Sequence, residues 1–165
     1  MNIGFVGLGN VGAKLAGSLL RNGFAVTVRD IERAAAEPLL ATGAAWADSG
    51  KALAEVSDVV ITCLPSPDIS ALVMEADDGV IAGLSDGKIW LEMSTTDADE
   101  VKRIGALVEA KGAFPLDSPV SGGCHRAATG NIAIFAGGDR AAFEKVLPLL
   151  TVMGRQILHT GALGT

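Results

Sequence analysis

A chain of 165 residues, 49% hydrophobic and 19% charged, is long and apolar enough to bury one substantial core and is not a disordered segment. Its formal net charge of −6, with no Lys/Arg cluster, repels phosphate backbones, so neither nucleic acid nor an anionic membrane is an expected partner. No apolar run reaches the roughly 18 residues of a membrane span, the N-terminus lacks the basic start and cleavage site of a secretion signal, and Cys63 and Cys124 have neither metal-ligand nor redox spacing; a reduced, cytoplasmic, metal-free setting is the expectation.

Ile3–Gly7 is a short apolar run, rich in branched residues and closed by glycine, and predicts a buried strand. A helix follows over Asn10–Asn22, with Val11, Leu15, Leu19 and Leu20 on one face, and Gly23 ends it. Ala25–Arg29 is a second strand. Ile31–Thr42 is helical in character but contains Pro38, which predicts a break or a late start. Val59–Leu64 is another buried strand, closed by Pro65; Asp68–Glu75 is a helix and Ile89–Met93 a further strand. Asp97–Lys111 places Val101, Ile104, Leu107 and Val108 at helical spacing and stops at Gly112. Phe114–Asp117 and Ile132–Ala136 are strands, Asp139–Val152 is a helix with Asp139 as its N-cap, and Gln156–Thr160 is a last short strand. Strand and helix alternate, which predicts parallel strands joined by helical crossovers and covered on both faces.

Gly7-Leu8-Gly9-Asn10-Val11-Gly12 fits G-x-G-x-x-G, and it falls after the first predicted strand and opens the first predicted helix. Gly7 allows the tight turn, Gly9 lets the backbone approach a pyrophosphate, and Gly12 lets the helix pack on the strand. The helix N-terminus offers unpaired N–H groups and a partial positive charge. The second strand runs into Asp30, 18 residues after Gly12, where a carboxylate accepts hydrogen bonds from the adenine-ribose hydroxyls and repels a 2′-phosphate. The expected cofactor is therefore NAD, with NADP less favoured; Arg29 and Arg33 pull the other way. Residues 1–165 read as one dinucleotide-binding domain of α/β class, a Rossmann-type doubly wound, mainly parallel sheet with helices on both faces.

Four blocks, in order, carry a resemblance over essentially the whole chain: Gly4-Phe5-Val6-Gly7-Leu8-Gly9-Asn10-Val11-Gly12, Leu64-Pro65-Ser66, Met93-Ser94-Thr95, and Asp117-Ser118-Pro119-Val120-Ser121-Gly122-Gly123. They resemble the β-hydroxyacid dehydrogenase family, the 3-hydroxyisobutyrate dehydrogenase type, with Val11 where that family usually has methionine. The resemblance implies that Leu64 and Pro65 flank the nicotinamide-side ribose. Ser94 and Thr95 follow the Ile89–Met93 strand and can hold the nicotinamide carboxamide and ribose through hydroxyls and backbone, while a Thr or Asp caps the helix at Asp97; the favoured division puts Thr95 at the cofactor and Thr96 at the cap. The resemblance also implies that the Ser121-Gly122-Gly123 loop holds the substrate carboxylate, with the Ser121 hydroxyl on the reacting oxygen. Consecutive N–H groups in a glycine loop suit such an anion. Arg126 is either a carboxylate partner or a solvated surface residue, and His125 has no assigned role. His159 reads as structural or exposed.

The implied reaction is reversible oxidation of a short 3-hydroxy acid to its aldehyde or ketone, with a nicotinamide cofactor carrying the hydride. The family's catalytic lysine, the asparagine four residues after it, and the all-helical domain used for homo-oligomerisation are expected beyond Thr165. The chain is therefore expected to bind NAD without turning substrate over by itself. Two alternatives stand beside this reading. One is an imine reductase-like enzyme, against which Asp30 and the Ser121 loop argue. The other is a non-catalytic dinucleotide-binding module.

Overall fold

β1 (Asn2–Val6) buries Ile3, Phe5 and Val6 and lies inside a nine-stranded sheet in the computed structural model, which describes residues Met1–Thr165. α1 (Gly12–Arg21) carries the chain to β2 (Ala25–Arg29); a 3-10 turn (Arg33–Ala36) and the short α2 (Glu37–Leu40) lead on to β3 (Ala45–Trp46). α3 (Gly50–Glu55) then brings the chain back to β4 (Val59–Thr62), which pairs with the other side of β1. α4 (Pro67–Glu75) and α5 (Val80–Gly83) precede β5 (Ile89–Glu92), and α6 (Ala98–Glu109) precedes β6 (Phe114–Asp117). The run β3-β2-β1-β4-β5-β6 is parallel throughout, with Ile3, Val59, Ile89 and Phe114 in one register row.

Parallel neighbours need crossover connections, and a reversal of winding at β1 sends helices to both faces. Two cores result. Phe5, Leu15, Leu19, Val146 and Leu149 belong to one, and Val60, Trp90, Leu53, Met74, Ile104 and Val108 to the other. The last third of the chain closes the sheet differently. β7 (Val120–Ser121), α7 (Gly123–Ala128), β8 (Ile132–Gly138), α8 (Arg140–Met153) and β9 (Gly154–Gly161) follow in order. β8 runs antiparallel to β6 and β7 in one continuous register, from Leu116 opposite Gly138 to Ser121 opposite Ala133, and takes β9 as a parallel neighbour.

The doubly wound α/β sheet expected from the sequence is the fold, with several local differences. The helix expected over Ile31–Thr42 is reduced to the 3-10 turn and α2, with Pro38 in the first helical turn. There its missing N–H costs nothing. β3, α3, α5 and β7 are elements of two to six residues, too short to show a period. The Ser121-Gly122-Gly123 stretch, expected as a loop, is the end of β7 and the start of α7. β9 is longer than the expected Gln156–Thr160. Leu107, placed on the buried face of α6 by spacing, is exposed, while Val101, Ile104 and Val108 are buried. No helix is long and apolar enough to cross a membrane.

Candidate functional site

In an open doubly wound sheet, ligands bind beyond the carboxyl ends of the strands, where the winding reverses. Here that point lies between β1 and β4, and a cleft of about 860 Å³ opens there. It gathers Gly7, Gly9, Val11 and Gly12 from the β1–α1 turn, Asp30 after β2, Leu64 and Pro65 after β4, Thr95 after β5, and Gly123 at the start of α7. These residues are far apart in sequence, and the parallel register brings them to one sheet edge.

Each fingerprint glycine has a physical reason. Gly7 has φ +96°, and a side-chain carbon there would strike the Cys63 carbonyl. A side-chain carbon at Gly12 would strike the Gly7 carbonyl, so the turn could not close onto α1. At Gly9 the same carbon would meet nothing within 4 Å, which leaves that backbone open to a ligand. No side chain caps α1 and no acidic residue sits in its first turn; the Ala13 and Lys14 N–H groups donate to the Gly9 and Val11 carbonyls, and the positive dipole end of the helix faces no counter-charge of its own. Asp30 closes the turn from the other side. Its Oδ2 accepts the Leu8 N–H at 2.6 Å and its Oδ1 the Glu32 N–H at 2.9 Å. Leu8 is therefore buried with its N–H already committed, and Asn10 is exposed and stands outside the cleft wall. Arg29 and Arg33 place their guanidinium carbons 5.2 and 5.0 Å from the Trp46 ring centre, a cation–π arrangement beside Asp30.

At the opposite end, the turns after β4 and β5 are tied together. Ser94 Oγ accepts the Leu64 N–H at 2.7 Å, and the Ser94 N–H donates to Glu92 Oε1 at 2.8 Å. Glu92 Oε2 accepts the Thr62 hydroxyl at 3.0 Å, and Thr62 Oγ1 accepts the Trp90 indole N–H at 2.8 Å. Burial pushes the Glu92 carboxyl above the usual carboxylate range, against the pull of donors from Ser94, Thr62 and Ser70. Burial and the nearby Glu92 push the Cys63 thiol up to about 12, so the sulfur in the cleft wall is a neutral thiol and not a nucleophile. Thr95 is exposed in the cleft wall. The cap expected from Thr96 comes from Asp97, whose Oδ1 accepts the N–H groups of Asp99 and Glu100 at 3.0 Å each. Thr96 Oγ1 is left buried without a partner.

Gly122 and Gly123 have φ values of +133° and +76° and turn the end of β7 into α7. Val120 and Gly123 line the cleft; Ser121 and Gly122 are exposed just beyond its wall. The Arg126 side chain lies against Gly122, with Cδ 2.8 Å from where a side-chain carbon would sit, and Arg126 and His125 are exposed and form no ion pair. His159 packs on Phe143 with ring centres 4.9 Å apart and has its Nε2 3.0 Å from the Gly138 carbonyl, a structural role.

Sequence reasoning missed the far half of the cleft: Ile31, Ser49, Gly50, Ile69, Leu72, Val73, Ala76, Asp78 and Gly79. Ser49 also caps α3, its hydroxyl accepting the Ala52 N–H at 3.1 Å. A signal existed in two apolar residues the core does not use, Ile31 and Leu72, which are 93% and 64% exposed at the rim.

Residues 2–161 match the family described as the NAD binding domain of 6-phosphogluconate dehydrogenase. An NAD-dependent L-serine dehydrogenase from Pseudomonas aeruginosa is 40% identical over 160 residues, which are 96% of this chain and 53% of that protein. A structure of Mycobacterium tuberculosis 3-hydroxyisobutyrate dehydrogenase with L-serine superimposes with a TM-score of 0.92 at 34% identity, covering 99% of this chain and 55% of that one. A structure of Psf3 in complex with NADP+ and 2-OPP gives a TM-score of 0.95 at 29% identity, covering 99% and 58%. The chain thus spans about half the length of the relatives it matches. With the fingerprint at the switch point and the match running from β1 to the end of β9, the chain belongs to the family of NAD binding domains typified by that of 6-phosphogluconate dehydrogenase.

Proposed function

We propose that residues 1–165 act as the dinucleotide-binding domain of an oxidoreductase that moves hydride between NAD and a short 3-hydroxy acid. The observation that carries this reading is the Gly7–Gly12 turn at the switch point, with the Asp30 carboxylate held beside it through the Leu8 N–H. Gly9 and the first turn of α1 would cradle the pyrophosphate, and Asp30 would accept the adenine-ribose hydroxyls. Leu64, Pro65 and Thr95 would flank the nicotinamide ribose. When bound, the nicotinamide supplies the hydride chemistry; the residues here supply orientation and exclude water. Ser121 and the N–H groups of Gly122 and Gly123 would position the substrate oxygen and carboxylate. The names of the two relatives support the substrate class, because L-serine and 3-hydroxyisobutyrate are both 3-hydroxy carboxylates. Asp30 supports NAD over NADP, and assembly into homo-oligomers through a helical domain belongs to the same proposal.

The test is titration of the protein with NADH and NADPH, followed by a 3-hydroxy acid, with amide NMR shifts as the readout. The expected result is tighter binding of NADH, and acid-induced shifts confined to Ser121–Gly123 and their neighbours. Tighter binding of NADPH would overturn the role of Asp30, and shifts elsewhere would overturn that of the Ser121 turn.

A further inference from the structure

We propose that Glu92 is a positioning residue: buried beneath the cleft, it clamps the turns after β4 and β5 in one geometry and so sets the grip on the nicotinamide half of a dinucleotide without touching it. The inference rests on the dinucleotide reading above. Glu92 is 1% exposed and is not part of the cleft wall, yet both residues it holds most directly lead there. Its Oε1 fixes the Ser94 backbone, and the Ser94 hydroxyl in turn holds the Leu64 N–H. Its Oε2 holds Thr62, the last residue of β4, whose hydroxyl is itself fixed by the Trp90 indole. One carboxyl therefore joins the ends of two neighbouring strands and the two turns that leave them.

The surroundings explain why the group is a carboxyl. Polar groups aimed at a buried point cost free energy unless an acceptor meets them. The Ser94 N–H and the Thr62 and Ser70 hydroxyls all converge on Glu92, with Ser70 the most distant at 3.5 Å. A leucine would fill the space and leave those donors unpaired, and the two turns would lose their common anchor. The titratable groups near it are Cys63 just after β4 and Asp117, its register partner on β6, which faces Lys102 of α6; α4 presents the Ser70 hydroxyl. The Asp30 end of the cleft is held by separate bonds, from Leu8 and Glu32. Loss of Glu92 should thus be felt at one end of the ligand only.

The experiment compares NADH with adenosine monophosphate, which reaches only the Asp30 and α1 end, on wild type, Glu92→Leu, Glu92→Gln and Ser94→Ala. We expect Glu92→Leu and Ser94→Ala to weaken NADH about tenfold while leaving adenosine monophosphate within about twofold. Glutamine can still accept the Ser94 N–H, so Glu92→Gln should restore NADH to within about threefold of wild type. If Glu92→Leu does not fold, Ser94→Ala carries the same comparison. Equal losses for both ligands, or no loss for either, would overturn the positioning role. Failure of the wild-type protein to bind NADH would overturn the dinucleotide reading itself, a distinct result.

Discussion

The Asp30 carboxylate organises the glycine turn by accepting the Leu8 and Glu32 N–H groups, and it lines the cleft at the end where the proposed function puts the adenine ribose. Asp30→Ala should weaken NADH about tenfold or more, as loss of charge-assisted bonds does, and narrow the gap to NADPH, measured by calorimetry. An unchanged ratio of the two affinities would mean that Arg29 and Arg33, stacked on Trp46, set the preference. Ser118 offers a contrasting test. Its side chain is 0% exposed and its hydroxyl has no hydrogen-bond partner, although its N–H is used by the Glu92 carbonyl. A buried hydroxyl without a partner costs on the order of 1 kcal/mol, so Ser118→Ala should raise stability by about that amount in chemical denaturation. Lower stability in the variant would show that Ser118 has a partner after all. At this scale the glycine fingerprint and Asp30 were legible because their spacing falls between a predicted strand and helix and at the end of the next strand. Glu92 was not: an isolated glutamate at a strand end carries no pattern, and only the fold reveals what converges on it.

Among the elements, α3 shows how a six-residue helix survives with little propensity of its own. Ser49 caps its start, and the Lys88 ammonium, brought in from just before β5, donates to the carbonyls of Ala54, Glu55 and Ser57 at its end. A cation at a helix C-terminus satisfies orphan carbonyls and opposes the dipole. Lys88→Met keeps the aliphatic stem and removes the charge; it should cost about 2 kcal/mol of stability in urea unfolding. A loss no larger than that of an ordinary exposed lysine would show that water replaces it. Pro38 and Pro148 divide by position. Pro38 marks the late start of α2, as its place in the sequence suggested, whereas Pro148 sits inside α8 without ending it. Pro148 and Glu144 are both on the exposed side, so the carbonyl that loses its partner still meets water. Long elements with a clear period were legible in the sequence. β3, α3, α5 and β7 were not, because they exist through tertiary contacts and caps.

For the molecule as a whole, two buried carboxyls couple folding to pH. Burial raises both Glu92 and Asp117 above their ordinary ranges, Asp117 despite the Gly164 N–H that it accepts at 2.9 Å. A raised carboxyl binds its proton more tightly in the folded state. Its contribution to stability is fully present below the ordinary carboxylate range and is lost as pH rises through the raised value. Glu75 and Glu100, lowered by Arg103, act in the opposite sense, but these groups lie at the surface, where solvent screens them. Across a range from about pH 4 to about pH 8, the wild type should lose stability relative to Glu92→Gln and Asp117→Asn as pH rises, read from thermal unfolding. A difference that does not change with pH would mean that neither group is shifted by folding. The parallel sheet and its switch point were legible in the alternation of strand and helix. The antiparallel closure by β6, β7 and β8 was not, since the chain direction of a short strand leaves no trace in its residues.

Under the proposed function one cleft, running from Asp30 past the Gly7–Gly12 turn to Leu64 and Thr95, would hold an extended nicotinamide dinucleotide. A crystal structure of the protein grown with NADH tests it most directly. The predicted density places the adenine ribose on Asp30, the pyrophosphate over Gly9 and the first turn of α1, and the nicotinamide between Leu64, Thr95 and Val120. Density in the reverse orientation, or a dinucleotide bound away from the glycine turn, would contradict it.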